Sequence, residues 1–225
     1  MSNPVITIDG PSGAGKGTVA QQLAKRLGYR LLDSGAVYRA AAVHALKSGA
    51  DLDDEASVML AMDTLEARFE PSSSGIQVFL ADLDITAELR SETTAAAASR
   101  VAVMPRVRQS LLDEQRSFRT APGLVADGRD MGTVVFPDAT LKVFLSASAK
   151  VRAERRAKQL KDKGIETTMP GLLQEIEARD QRDSTRAHSP LKAAEGALVI
   201  DSSNLTISDV LNEIIVALPV QLYVT

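Results

Sequence analysis

The sequence predicts an α/β fold: a parallel sheet flanked by helices, with a small α+β unit inserted into it. Three observations carry this. Apolar, β-branched runs at 5–8, 124–126, 141–145 and 198–200 each stop at polar residues and lead toward a helix, as strands buried on both faces do. Between and after them lie segments with apolar residues at helical spacing. Residues 51–95 differ from the rest, with 11 Asp or Glu against only Arg68 and Arg90.

In chain order, the strand at 5–8 ends at Asp9-Gly10-Pro11, and a helix is expected over 16–27, where Val19, Leu23, Ala24 and Leu27 share a face and Gly28 supplies the stop. A second helix is expected over 35–47, ending at Ser48-Gly49. Within the acidic segment, 67–70 and 76–80 read as strands meeting at the turn Pro71-Ser72-Ser73-Ser74-Gly75, with a third short strand at Asp84-Ile85. Helices follow at 94–103 and 105–119, the second opening on a proline, which is tolerated in a first turn. The expected organisation is one domain, 1–225, with an inserted subdomain at about 51–95 and a helical lid at about 150–168.

Composition narrows the function. The 225 residues are 44% apolar and 24% charged, the balance of a globular chain, and the net charge of −3 argues against a nucleic-acid binder, which needs a strongly basic face. Cysteine is absent, which excludes disulfides, thiolate metal sites and cysteine nucleophiles and accords with a reducing cytoplasm. No apolar run approaches the roughly 18 residues of a membrane span, and the N-terminus lacks the pattern of an export signal. His44 and His188 stand apart from other metal-ligating residues.

Gly10, Pro11, Ser12, Gly13, Ala14, Gly15, Lys16, Gly17 and Thr18 follow the first strand and open the first helix, the context a phosphate-binding loop requires. Glycines let successive amides turn toward an anion, the helix N-terminus adds its positive end, and Lys16 brings a cation to the outer phosphates. The residue after Lys16 is Gly17, with Thr18 one later, so the hydroxyl that commonly binds magnesium is displaced; this Gly-Lys-Gly-Thr variant resembles the nucleoside monophosphate kinases, which implies that the metal depends more on water and ATP phosphates than on a protein ligand. Neither Asn-Lys-x-Asp nor Leu-Ser-Gly-Gly occurs, which speaks against a GTPase or a transporter ATPase. Cations gather downstream, with 10 Lys or Arg between Lys150 and Arg186. Arg152, Arg155 and Arg156 lie on a predicted helix leading into Lys161-Asp162-Lys163-Gly164, a hinge for a closing lid. Arg179, Asp183 and Arg186 are spaced four and three apart, which places cation, carboxylate and cation on one helix face. Fixed cations in a closed site are what phosphoryl transfer requires.

The segments Gly-Pro-Ser-Gly-Ala-Gly-Lys-Gly-Thr at 10–18, Leu-Leu-Asp-Ser-Gly-Ala-Val-Tyr-Arg at 31–39, Ala-Asp-Gly-Arg-Asp-Met-Gly-Thr-Val-Val-Phe-Pro at 126–137 and Arg-Asp-Gln-Arg-Asp at 179–183 together resemble the bacterial-type cytidylate kinases, a nucleoside monophosphate kinase family. The similarity spans nearly the whole chain, including the acidic insertion. It implies a P-loop kinase core, an insertion that serves as a monophosphate-binding subdomain, and transfer from ATP to CMP and dCMP with Mg2+, by a cytoplasmic monomer. It further implies that the loop at 10–18 holds ATP phosphates; that Ser34, Arg39 and Arg129 lie along the acceptor monophosphate; that Ser99, Arg108 and Asp130 read the cytosine edge; and that Arg179, Asp183 and Arg186 address ribose and acceptor phosphate. Lys16, Arg129, Arg152, Arg155, Arg156 and Arg186 are the candidates for stabilising transition-state charge. A kinase of another small acceptor, such as shikimate or gluconate, and a nucleotide-binding switch without transfer activity are the alternatives.

Overall fold

Short β-branched and apolar runs between helical segments fold as the alternation demands. The computed structural model describes residues 3–72, 75–162 and 164–219. The turn residues Ser73 and Ser74 and the hinge residue Lys163 lie outside the described residues. The chain divides into two compact units, one of residues 1–30 and 119–225, the other of 31–118.

In chain order the elements are β1 (Val5–Asp9), α1 (Lys16–Leu27), β2 (Arg30–Asp33), α2 (Ser34–Lys47), α3 (Glu55–Met62), β3 (Ala67–Ser72), β4 (Gly75–Leu80), β5 (Leu83–Asp84), α4 (Glu92–Val101), α5 (Pro105–Ser110), α6 (Leu112–Ser117), β6 (Leu124–Gly128), β7 (Leu141–Ser146), α7 (Ala149–Asp162), α8 (Met169–Thr185), β8 (Leu198–Asp201) and α9 (Ile207–Val216). Five strands form one sheet in the order β2-β6-β1-β7-β8, and β1 runs parallel to both its neighbours, as β7 does to β8. The central strands are apolar throughout because they are covered on both faces: Val5, Ile6, Ile8, Leu124, Val125 and Ala126 have no exposed surface. Helix α1 lies against β6 and α9 and buries Val19, Ala20, Leu23 and Ala24. Its end is closed by Gly28 in the left-handed conformation, with its amide on Lys25.

Helices α7 and α8 pack on each other through Ala153, Leu160, Leu172 and Ile176. At about 1.5–3 kcal/mol for each large apolar side chain buried, Leu160, Leu172 and Ile176 hold the two helices together. Arg186 is not on the helix face expected for it. It is the C-cap of α8, at φ −59° and ψ 139°, so the backbone has already turned out of the helix there.

In the second unit, β3, β4 and β5 form an antiparallel sheet with Phe69 opposite Val78 and Phe79 opposite Asp84. It carries α2 across it through Ala36, Ala40, Val43, Val78, Leu80 and Ile85. The acidic segment 51–95 therefore lies inside a larger unit that also holds α2, α5 and α6. The single helix expected over 105–119 is two, broken at Leu111, and α4 runs from Glu92 to Val101, with Ser91 capping its Thr94 amide. Among the described residues no helix is long and apolar enough to cross a membrane.

Candidate active site

Strand β1 delivers its last residue, Asp9, to the C-terminal edge of the sheet, and the loop at 10–15 carries the chain from there into α1. Two glycines make the path possible. Gly10 has φ +149°, and a Cβ on it would sit 1.9 Å from the Leu145 carbonyl oxygen, so only a residue without a side chain lets the loop leave β1 this close to β7. Gly15, at φ +98°, is the N-cap of α1, and among the described residues no side chain caps that end, the arrangement in which the first amides of a helix can receive an anion. Lys16 is 5% exposed; its Nζ donates to the Pro11 carbonyl at 3.0 Å and lies 3.7 Å from an Asp127 carboxylate oxygen. Burial, with Arg129 nearby, pushes this amine down to about 8, and Asp127 acts against the fall.

The carbonyls on the outer side of the loop are held by arginines of α7. Arg152, 4% exposed, donates through Nη1 to Ser12 O at 3.2 Å and through Nε to Ala147 O at 2.9 Å, and it forms a forked pair with Asp180 of α8. Arg155 donates to Ala14 O at 3.2 Å and to both the hydroxyl and the carbonyl of Ser202. The Ser202 hydroxyl itself lies 3.0 Å from Ala14 O. Two of the three arginines expected on the lid thus brace the loop from behind. Arg156 faces Gln159 one turn on.

Beyond β6 the chain presents Arg129 and Asp130. Arg129 Nε donates to Asp183 at 2.9 Å, and Arg186 lies 3.9 Å from the buried Asp130 carboxylate. Burial would raise the Asp183 carboxyl, but Arg129, Arg179 and Arg186 outweigh it and hold it below the usual carboxylate range. Asp9 is opposite in sign: burial raises it to about 6, against the amides of Gly132 and Met131, which lower it. The structure therefore gathers Lys16, Arg129, Arg179 and Arg186 with Asp9, Asp127, Asp130 and Asp183 at one edge of the sheet.

The remaining predicted residues belong to the second unit. Ser34 opens α2, is buried, and donates to Gln115 Oε1 at 2.7 Å. Arg39 pairs with Asp33 at 2.9 Å, while Asp33 also caps the Ala36 amide. Arg108 donates to Ala102 O at 3.1 Å and stands 5.4 Å over the Tyr38 ring. Ser99 is half-buried on α4. His44 is satisfied within this unit by Ala61 O and Thr64 Oγ1, and His188 is exposed. Among the described residues no three His, Asp or Glu are gathered as a metal cluster.

A family model described as cytidylate kinase matches residues 6–219. The chain belongs to the cytidylate kinase family. Relatives in that family include the cytidylate kinases of Aeromonas salmonicida, 55% identical over 208 residues (92% of this chain, 90% of that protein), and of Proteus mirabilis and Vibrio parahaemolyticus, each 52% identical over 210 residues (93% of both chains). The resemblance assigned no role to Asp9, Gln115, Asp180 or Ser202, although Gln115 and Asp180 hold the predicted site residues Ser34 and Arg152, Ser202 holds the loop atom Ala14 O, and Asp9 holds the amides that follow Asp130. The signal available for Asp9 and Ser202 was their position at the C-terminal ends of parallel strands, where sites form in such sheets.

Proposed function

We propose that this chain transfers the terminal phosphoryl group of ATP to CMP and to dCMP, giving ADP with CDP or dCDP. An oxygen of the acceptor's phosphate attacks the γ-phosphorus as the bond to the bridging oxygen of ADP breaks, without a covalent enzyme intermediate. The acceptor is already an anion at neutral pH, so the protein's work is alignment, charge neutralisation and exclusion of water. The observation that carries this reading is the convergence of Lys16, at the mouth of a phosphate-binding loop, with Arg129, Arg179 and Arg186.

In this reading residues 10–18 hold the ATP phosphates; Ser34, Arg39 and Arg129 bind the acceptor phosphate; and Arg179, Asp183 and Arg186 address its ribose and phosphate. Ser99, Arg108 and Asp130 read the base, since cytosine offers an exocyclic amine donor beside ring acceptors and uracil reverses that donor. Lys16, Arg129, Arg152, Arg155, Arg156 and Arg186 stabilise transferred charge, Arg152 and Arg155 by fixing the loop they grip. The segment 51–95 serves the acceptor as a monophosphate-binding subdomain, and 150–168 is the lid. Mg2+ fits the donor set: it is commonly held by one or two carboxylates, water and substrate phosphates, and Asp127 stands beside Lys16 with Gly17 leaving space before its Oδ2. Bound there, the ion would neutralise phosphate charge. The enzyme acts as a cytoplasmic monomer on small nucleotides rather than on nucleic acid, in keeping with its net charge of −3.

A coupled ADP-release assay across CMP, dCMP, UMP, AMP, GMP, shikimate and gluconate tests the reading. Turnover is expected with CMP and dCMP well above the others. A panel with no preference for the cytosine nucleotides, or with no ADP release at all, would overturn it.

A further inference from the structure

Asp9 is a charged side chain with 3% exposure that the proposed chemistry does not use, and both its oxygens are engaged. Oδ1 accepts the Met131 amide and Oδ2 the Gly132 amide, each at 2.8 Å and across more than 120 residues of sequence. The backbone of the same residue lies in register with Gly128 of β6 on one side and with Phe144 of β7 on the other. One residue therefore pins both ends of the short segment Arg129–Asp130: its main chain fixes the entry at Gly128, and its carboxylate fixes the exit at Met131 and Gly132.

What leaves that segment is a single π-helical turn, Met131–Val135, with the Val135 amide on Asp130 O and the Phe136 amide on Met131 O. Asp130 itself sits at φ −143° and ψ 25°, outside any regular element, so no ladder of its own holds it. The first amides of a helical turn have no partner within it. A carboxylate that receives two of them fixes the turn's start, and with it the direction in which Asp130 and Arg129 face. The anchor is held on both sides, because the Asp9 backbone is paired in the middle of the sheet between β6 and β7.

We propose that Asp9 is a positioning residue for acceptor recognition, a staple that holds Arg129 and Asp130 in the orientation needed to bind and discriminate the pyrimidine monophosphate. The inference rests on the assignment of Arg129 and Asp130 to the acceptor. It separates acceptor from donor because the Lys16 amine is held by the Pro11 carbonyl and Asp127, and the backbone pairing of β1 does not depend on the Asp9 side chain.

The test is Asp9→Asn, which keeps size and shape but sets an NH2 group against one of the two amides. Hydrogen bonds to charged groups contribute about 1.5–3 kcal/mol, equivalent to roughly 10–150-fold. The KM for CMP is expected to rise at least about tenfold and the preference for CMP over UMP to narrow, while the KM for ATP stays within about twofold. Equal rises in both KM values, or no change in either, would overturn the staple. Amide hydrogen exchange on the wild-type protein gives an independent reading, which decides the matter if the variant does not fold or if the wild type does not turn over CMP. Slow exchange at both Met131 and Gly132 supports the staple, and exchange at the rate of open loop amides refutes it. Failure of the wild type on CMP would sink the proposed activity and leave the staple to this second measurement.

Discussion

If Lys16 serves ATP as proposed, it meets the nucleotide partly uncharged, and that can be measured. Burial and the neighbouring Arg129 bring its amine to about 8, so about half of the molecules carry a neutral amine at pH 8 and about a tenth at pH 7. A triphosphate placed in the loop favours the ammonium strongly, since an opposite charge within a few ångströms raises an amine's pKa. Binding of MgATP should therefore draw in about half a proton at pH 8 and about a tenth at pH 7. The nucleotide's own terminal phosphate, with a second pKa near about 6, is already ionised at the higher pH and contributes little. Isothermal titration calorimetry at pH 8 in buffers of different ionisation enthalpy reads the uptake as the slope of observed heat against that enthalpy. Lys16→Arg supplies the control, because a guanidinium does not lose its proton in this range. Zero slope for the wild type at pH 8, or the same slope in the arginine variant, would refute the reasoning. The sign for stability follows from the same depression. The unfolded chain keeps this proton to 10.5 and the folded one only to about 8, so this group makes the fold more stable as pH rises across that window.

Three further outcomes are expected. Asp9 is raised from 3.8 to about 6, so the folded state holds its proton longer and the contribution is fully present below 3.8 and lost as pH rises through about 6. In urea titrations wild type should gain on Asp9→Asn by about 2 kcal/mol between pH 7 and pH 4, and a gap independent of pH would contradict this. Thr7 is fully buried in β1 and its hydroxyl has no hydrogen-bond partner among the described residues, so the near-isosteric Thr7→Val should raise the thermal midpoint, by about 2–4 °C for each kcal/mol gained; a lower midpoint would argue against it. Gly10→Ala should cost about 3 kcal/mol or more in chemical denaturation, whereas Gly28→Ala, at φ +66° with nothing within 4 Å of the new Cβ, should cost only about 1–2 kcal/mol.

The strand–loop–helix unit at 5–27 was readable because every signal in it is local: a β-branched run, glycines where the backbone turns, and apolar residues at helical spacing. The hairpin of β3 and β4 was readable for the same reason. Strand β2 was not, since four residues beginning with an exposed Arg30 carry no periodicity of their own and gain strand character only in the sheet. Helix α3 was missed because the acidic composition around it hides an eight-residue helix whose N-cap is Asp54. The break at Leu111 carries no glycine or proline to announce it. In the site, charge was visible but partnership was not. Ser202 meets Ala14 across 188 residues and Ser34 meets Gln115 across 81, contacts that exist only once the chain has packed. Arg152 and Arg155 show the limit most clearly, because spacing identified a cationic helix without revealing that its donors are spent on Ser12 and Ala14.

That attachment gives α7 the mechanics of a lever. With Arg152 and Arg155 bolted to the loop, the fulcrum lies near the helix's second turn, and the seven residues out to Asp162 form an arm of about 10 Å. Displacement of the far tip, in whichever direction, bears on the peptide carbonyls of Ser12 and Ala14 and hence on the aim of the amides between them.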